Sequence, residues 1–156
     1  EREVALAVEQ GGKVLCGGRR ATGQGSDMFF EPTIIECPGP HLNIVDTEMF
    51  APVLSVLRFG TEEEALALAN DTEHGLAAGI FTTNSARALR MSRAVRAGIV
   101  WVNTYRAISR IAPFGGFNQS GYGREAGMDS ILDYTRTKTT WINTSSDPMA
   151  NPFVMR

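Results

Sequence analysis

The 156-residue sequence has no long apolar run, no large excess of one charge and few cysteines and histidines. None of its hydrophobic stretches approaches the roughly 20 residues that a membrane-spanning helix needs, so we expect a cytoplasmic protein without a membrane partner. Its 15 Lys and Arg against 17 Asp and Glu give a net charge of −2. Because such a chain has no overall positive field to hold a phosphate backbone, nucleic acid is not expected as a partner.

Cysteine and histidine are scarce, with two of each. Cys16 and Cys37 lie in β-like apolar runs, and neither has a second cysteine or a histidine at a metal-binding spacing. The pattern predicts two buried structural thiols and no metal site. His41 and His74 are far apart in the sequence and lie beside turn residues, which favours solvated or capping roles.

The sequence does contain an alternation of strand and helix patterns. It opens with the helical spacing of Val4 and Val8, which is expected to be the end of a helix that begins upstream. Helices are also predicted after Thr61, which has capping-box spacing to Glu64, and after Ser85, which is expected to be the cap of its helix. A short helix is predicted over 125–132. Strands are predicted at 13–16, 30–35, 53–59, 76–82 and 99–102. This order predicts an α/β fold, a mainly parallel sheet with helices on both faces and ligands at the carboxyl ends of its strands.

Four arginines step by three along the second of these helices. They are Arg87, Arg90, Arg93 and Arg96. Residues at this spacing sweep about half of a helix circumference. A solvated helix face is favoured over an anion-binding site.

Two segments carry residue types suited to binding. Residues 47–53 read Thr-Glu-Met-Phe-Ala-Pro-Val, and in an extended segment the side chains of Glu48 and Phe50 would point to the same side. They could form a polar handle and an apolar platform for a flat ligand, or be a solvated turn residue and a core ring. Residues 112–125 read Ala-Pro-Phe-Gly-Gly-Phe-Asn-Gln-Ser-Gly-Tyr-Gly-Arg-Glu, where the paired glycines indicate a tight turn. Neither segment alone identifies a reaction.

Taken together, these two motifs resemble the aldehyde dehydrogenase superfamily. Its members carry Glu-x-Phe-Gly-Pro-Val and, later in the chain, Pro-Phe-Gly-Gly-x-Lys-x-Ser-Gly-x-Gly-Arg-Glu, with a Gly-Leu-Ala-Ala stretch between them that is present here at 75–78. The resemblance extends over roughly residues 4–143. Ala51 stands where the family usually has Gly, and Asn118 where it usually has Lys; neither position carries the chemistry.

The resemblance implies that the parent enzyme oxidises an aldehyde to a carboxylic acid with NAD or NADP, through a cysteine thioester. In the family, the nucleophilic cysteine, the glutamate base, the oxyanion asparagine and the dinucleotide-binding half precede the helix with which this chain opens. No catalytic residue is therefore expected here, and the chain alone is expected to be inactive. Glu48 aligns with the glutamate that accepts hydrogen bonds from the nicotinamide ribose. Phe50 aligns with the ring beside the nicotinamide.

Residues 103–114 align with the segment that lines the family's substrate pocket. The resemblance therefore assigns Ile108 and Phe114 to substrate binding, where an aliphatic and an aromatic wall suit the apolar part of an aldehyde. Arg106 and Arg110 in the same loop could attract a carboxylated aldehyde. Loop arginines, however, point to solvent more often than to ligands.

The C-terminal segment reads as an appended strand. Residues 134–143 are rich in β-formers and resemble the family's C-terminal strand, which pairs with another subunit. The sequence therefore predicts that residues 1–133 are the C-terminal part of a catalytic domain and that 134–156 are an oligomerisation strand and tail, in a homodimer or tetramer. An alternative is an independently folded, non-catalytic oligomerisation module. The native reading frame upstream discriminates between the two.

Overall fold

A computed structural model of the chain describes residues 1–149, 151 and 153. The elements are α1 (Arg2–Glu9), β1 (Lys13–Cys16), β2 (Thr33–Glu36), α2 (Asn43–Asp46), β3 (Val53–Val56), α3 (Glu62–Asn70), β4 (Ala77–Ile80), α4 (Ser85–Ala94), β5 (Ile99–Val102), a 3-10 turn (Asn118–Ser120) and α5 (Ser130–Asp133). The predicted α/β class and the order β3-α3-β4-α4-β5 are confirmed. None of the helices in the described part of the chain is long and apolar enough to cross a membrane.

The strands form two small sheets rather than the single sheet that the alternation predicts. In one sheet β1 pairs antiparallel with β2, and β2 pairs parallel with β3. In the other, β4 pairs parallel with β5. A crossover helix joins two parallel strands without requiring them to be neighbours. The order of strands along the sequence therefore does not determine which strands pair.

The main core lies between the three-stranded sheet and the helices α1 and α2. Its buried side chains include Val4 and Ala7 of α1, Ile35 of β2 and Ile44 of α2. Val4 and Ala7 lie three residues apart and therefore face the same side of the helix. Burying this apolar stripe against the sheet is the main stabilising contribution to this half of the structure.

Side-chain caps begin the helices α3 and α4. Thr61 accepts a hydrogen bond from the Glu64 amide at 3.1 Å, which confirms the predicted cap. The Glu64 carboxylate accepts a hydrogen bond from the Gly60 amide at 2.7 Å, one residue before the cap, so the pair forms a variant of the predicted capping box. The predicted cap at Ser85 is wrong by one residue. Asn84 is the cap, because its side-chain oxygen accepts a hydrogen bond from the Arg87 amide at 2.9 Å.

An ion-pair cluster joins the N-terminal turn of α3 to α4. Glu62 accepts hydrogen bonds from Arg87 at 3.0 Å and from Arg90 at 3.0 and 2.9 Å. Hydrogen bonds from Arg90, and to a smaller extent from Arg87, hold the pKa of the Glu62 carboxyl below its ordinary value. Both arginines remain largely exposed, which confirms the predicted solvated face of α4. Their ion pairs with Glu62 also connect this face to α3.

Three local features of the structure differ from what the sequence patterns indicate. Residues 43–46 form the short helix α2, which has no periodic pattern long enough to predict. The helix predicted over 125–132 is confined to α5. The strand predicted over 134–143 is not formed, because residues 135–145 have no regular structure and no strand partner within the described chain.

The two thiols lie in different environments. Cys37 is buried, and desolvation raises the pKa of its thiol above the ordinary value. The expectation that Cys16 is also buried is wrong, since this residue is exposed at the end of β1. The pairing of β1 with β2 is irregular between Val14 and Cys16, so Cys16 does not share the half-buried position of Val14, and the apolar run did not specify this irregularity.

Alkylation of the native chain tests this difference. At mildly alkaline pH, iodoacetamide should modify the exposed Cys16 and leave Cys37 unmodified, because Cys37 is buried and burial raises the pKa of its thiol. Peptide mass spectrometry measures both sites. Cys16→Ala serves as the control and should abolish native labelling, whereas both thiols should react in urea. Equal native labelling of the two thiols would contradict the burial of Cys37.

Candidate functional site

The carboxyl ends of β4 and β5 lie side by side. Ile80 pairs with Val102 at the end of the two parallel strands. Directly beyond them, the Asn103 side chain accepts a hydrogen bond from the Thr82 amide at 2.8 Å and donates one to the Thr82 carbonyl at 2.9 Å. Asn103 has a φ of 53°, a left-handed conformation that asparagine adopts more readily than most residues. This two-bond clamp fixes the start of the loop that follows β5.

The loop at 103–114 is held further along by an aromatic residue of β5. The indole Nε1 of Trp101 donates a hydrogen bond to the Ala107 carbonyl at 2.8 Å. The Tyr105 ring packs edge-on against Trp101, with 5.4 Å between ring centroids. The Arg110 carbonyl accepts a hydrogen bond from the Gly127 amide at 3.1 Å. The backbone of this loop is therefore anchored at several points along its length.

The glycine-rich motif that follows is built around the peptide groups of Gly75. The Gly75 carbonyl accepts hydrogen bonds from the amides of Gly98 at 3.0 Å and Phe117 at 2.9 Å. The Gly75 amide donates to the Ser120 hydroxyl at 2.9 Å. These three bonds join the residues before β4, the residues before β5 and the motif at 112–125.

The glycines of this motif allow backbone segments to approach where a side chain would not fit. A Cβ atom at Gly98 would overlap the carbonyl of Gly115, and one at Gly116 would lie 2.5 Å from the Cβ of Ser120. Arg124 covers the turn by donating a hydrogen bond to the Gly116 carbonyl at 3.0 Å. The predicted tight turn is confirmed, with close backbone packing as its cause.

Glu48 lies in an open cleft beside this turn. The cleft has a volume of about 490 Å³ and its walls include His74, Arg96, Gln119 and Ser120. Glu48 is exposed, and its carboxylate makes no hydrogen bond or ion pair within residues 1–149. Both motifs singled out in the sequence therefore contribute to one cleft, and the carboxylate in it can accept hydrogen bonds from a ligand.

Phe50 does not share this cleft. Its ring is 97% exposed and its φ is 44°, so the segment is not extended at this residue. The same-side argument, which required an extended segment, is wrong here. The alternative that Phe50 is a core residue is also wrong. A ring this exposed is available to pack against a flat partner.

The two residues assigned to substrate binding have different surroundings. Ile108 is 65% exposed on the anchored loop. Phe114 is half-buried, and its backbone exchanges two 2.6 Å hydrogen bonds with Glu125. The Glu48 cleft is lined by residues at the amino ends of β4 and β5. Ile108 lies on the loop beyond the carboxyl end of β5, next to Ala107, whose carbonyl accepts the Trp101 hydrogen bond. The described chain therefore does not gather the four predicted residues into one pocket.

Several residues that shape this region are not among the site residues predicted from the sequence. They are Asn103, Trp101 and Ser120, whose side chains bond to backbone groups distant in the chain. An asparagine directly after a strand is a detectable signal, because it tolerates a left-handed conformation and bonds to nearby backbone. The partners of Trp101 and Ser120 leave no local signal. No group of three or more His, Cys, Asp or Glu in the described ranges is arranged to hold a metal ion.

Comparison with known sequences gives one family. The sequence model of the aldehyde dehydrogenase family matches residues 1–140. The chain is 50% identical to the (Z)-2-((N-methylformamido)methylene)-5-hydroxybutyrolactone dehydrogenase of Acinetobacter baylyi, over 100% of this chain and 32% of that protein.

Solved structures are similar over the same range. PnpE from Pseudomonas sp. WBC-3 superposes with a TM-score of 0.88 at 43% identity, covering 97% of this chain and 31% of PnpE. The indole-3-acetaldehyde dehydrogenase AldA of P. syringae, solved as a mutant in complex with NAD+ and IAA, superposes with a TM-score of 0.85 at 42% identity, covering 90% and 28%. The chain thus spans about a third of the length of the relatives that it matches.

Substitution of Gly98 tests the packing around Gly75. Gly98→Ala should lower the free energy of unfolding by roughly 2 kcal/mol or more, because the added methyl group overlaps backbone that cannot move without breaking the Gly75 bonds. Urea unfolding followed by fluorescence measures the change, and Trp101 on β5 contributes to that signal.

Gly39→Ala is the matched control. A Cβ at Gly39 meets nothing within 4 Å, so its effect should stay within about 0.5 kcal/mol. Equal stability of the two variants would show that the close approach at Gly98 does not constrain the fold.

Proposed function

The chain belongs to the aldehyde dehydrogenase family, and on that premise we propose that it is the C-terminal part of an enzyme that uses NAD or NADP to oxidise an aldehyde to a carboxylic acid. The observation that carries this proposal is the meeting of the two motifs. Glu48 from the first motif lines one cleft with Gln119 and Ser120 from the second. The NAD+ complex of the similar AldA supports a dinucleotide as the cofactor.

Glu48 is assigned to the cofactor. Its exposed carboxylate has no protein partner among the described residues and has room beside it, which fits an acceptor for two vicinal hydroxyl groups such as those of a ribose. The cofactor, when bound, supplies the hydride acceptor. Holding the ribose restricts the position of the nicotinamide, and such positioning contributes to rate as well as to binding.

Phe50 is assigned to the same ligand through its exposed ring. A flat aromatic surface this exposed suits stacking or edge packing against a nicotinamide. Ile108 and Phe114 are assigned to the aldehyde, for which they offer an aliphatic and an aromatic surface. Completing a pocket around these surfaces requires protein outside this chain.

The nucleophilic cysteine and the glutamate base are proposed to lie in that other part of the parent protein. Burial raises the pKa of the Cys37 thiol, which disfavours the thiolate that a nucleophile needs. The exposed Cys16 thiol donates to the Pro32 carbonyl at 3.7 Å, and neither cysteine aligns with the nucleophile of the family. We therefore expect this chain to have no dehydrogenase activity by itself.

A homodimer or tetramer is proposed for the parent enzyme. The C-terminal segment carries large apolar side chains that the described chain leaves uncovered, with Trp141 at 92% and Ile142 at 79% exposure. Pairing of this segment with a strand of another subunit would satisfy its backbone and cover these side chains. The same exposure favours a second candidate function, an oligomerisation module without catalysis. A cytoplasmic location is proposed from composition alone.

Activity of the full-length protein tests the proposed function. Reduction of NAD+ or NADP+, followed by absorbance, should depend on an added aldehyde, and the matching carboxylic acid should accumulate. The 156-residue chain assayed in parallel should show no turnover. Absence of aldehyde-dependent reduction by the full-length protein, despite bound cofactor, would favour the non-catalytic module. Turnover by the short chain would contradict the division of catalytic groups proposed above.

The role of Glu48 is tested by Glu48→Gln in the full-length enzyme. Loss of the negative acceptor should slow single-turnover hydride transfer by about tenfold, the size expected for a weakened charge-assisted hydrogen bond. Stopped-flow absorbance measures this rate. Glu9→Gln, an exposed carboxylate at the end of α1, is the control and should retain the parent rate. A Glu48→Gln rate equal to that of the parent would exclude the assignment.

Assembly is tested by truncating the full-length enzyme before Thr137. Removal of the proposed strand should give smaller species in analytical ultracentrifugation, because its pairing with another subunit is lost. Truncation before Thr144 is the control, since it keeps the segment at 134–143 and should keep the oligomer. An oligomer of unchanged size after the longer truncation would show that this segment is not a principal subunit contact.

A further inference from the structure

The loop between β5 and the glycine-rich motif carries positive charge and no negative charge. Residues 103–112 include Arg106 and Arg110 and contain neither Asp nor Glu. Both arginines are exposed. The loop begins directly at the carboxyl ends of two parallel strands, which is where α/β folds bind their ligands.

The charges of these two arginines are not neutralised by protein. Within the described residues, neither guanidinium lies within 4.0 Å of a carboxylate or donates a side-chain hydrogen bond. Arg87 and Arg90 on α4 differ in this respect, because both are paired with Glu62. Absence of an ion pair alone does not single them out, since Arg93 on α4 also makes none among the described residues; their position on the loop at the carboxyl ends of β4 and β5 does.

The backbone that presents the two guanidinium groups is held in place. The Ala107 carbonyl, next to Arg106, accepts the Trp101 indole hydrogen bond at 2.8 Å. The Arg110 carbonyl accepts the Gly127 amide at 3.1 Å. Arg106 itself has a φ of 56°, a left-handed conformation that a residue with a Cβ seldom adopts without such support. Anchored backbone lowers the entropy lost when a ligand is bound.

We propose that Arg106 and Arg110 bind a carboxylate group remote from the aldehyde carbon, and that the preferred substrates are therefore short aldehydes with a second, acidic end. The inference rests on the proposed dehydrogenase function. Ile108 lies between the two arginines in sequence and is 65% exposed, which suits the aliphatic carbons between the two ends of such a substrate. A planar guanidinium binds a carboxylate through two parallel hydrogen bonds, which selects it over a neutral group of similar size.

The test compares two four-carbon aldehydes in the full-length enzyme. Succinic semialdehyde carries a carboxylate and butanal does not. The wild-type kcat/KM should be higher for succinic semialdehyde, by at least about tenfold, and should fall with added salt for this substrate alone. In Arg106→Gln/Arg110→Gln, kcat/KM for succinic semialdehyde should fall by about tenfold or more, whereas kcat/KM for butanal should change by less than about twofold.

Two further variants serve as controls. Arg93→Gln removes an exposed charge on α4 that makes no ion pair within the described residues, and it should leave both kcat/KM values unchanged. Arg106→Lys/Arg110→Lys keeps the charge and should retain part of the preference. If the double Gln variant fails to fold, the wild-type salt dependence and the single variants Arg106→Gln and Arg110→Gln supply the same comparison.

Equal loss for both aldehydes, or no loss for either, would overturn the assignment of the two arginines. In that case aldehyde oxidation persists and the proposed function stands. Failure of the wild-type enzyme to oxidise either aldehyde with NAD+ or NADP+ would instead contradict the proposed function. The two failures are therefore distinguishable.

Discussion

The peptide groups of Gly75 join three parts of the chain that are distant in sequence. Its carbonyl accepts the amides of Gly98 and Phe117, and its amide donates to the Ser120 hydroxyl. A carbonyl with two donors and an amide with a side-chain acceptor are fully satisfied, which is what partly buried backbone requires. The spacing of β4 and β5, the path of the glycine-rich turn and the wall of the Glu48 cleft all depend on these bonds.

Structural features that depend on residues close together in the sequence, such as helix caps and strand bounds, were predictable. The Thr61 cap of α3 and the bounds of β5 follow from spacing and from a short apolar run closed by Gly98, and the structure has them as predicted. The α/β class follows from the same local patterns. Pairing between strands was not predictable, because it depends on which edges meet in space. The division into two sheets and the unpaired segment at 135–145 are both of this kind.

The site shows the same limit. The motif comparison identified Glu48, and the structure adds that Gln119 and Ser120 line its cleft, which no local pattern indicates. The prediction that Glu48 and Phe50 point to the same side is wrong because Phe50 has a left-handed backbone conformation, so the segment is not extended there. Exposure of Cys16 was missed because the apolar run does not specify the irregular pairing of β1 with β2.

Exposed apolar side chains and exposed charged side chains have different consequences for this chain. Apolar groups such as Leu54 on β3 and Phe81 after β4 gain stability only when other protein covers them. Charged groups such as Arg106 and Arg110 are stable in water, so their exposure needs no covering surface and places no demand on folding. The guanidinium donors of this held loop therefore stay available to a ligand. The apolar faces, by contrast, are where the remaining part of the parent enzyme would pack.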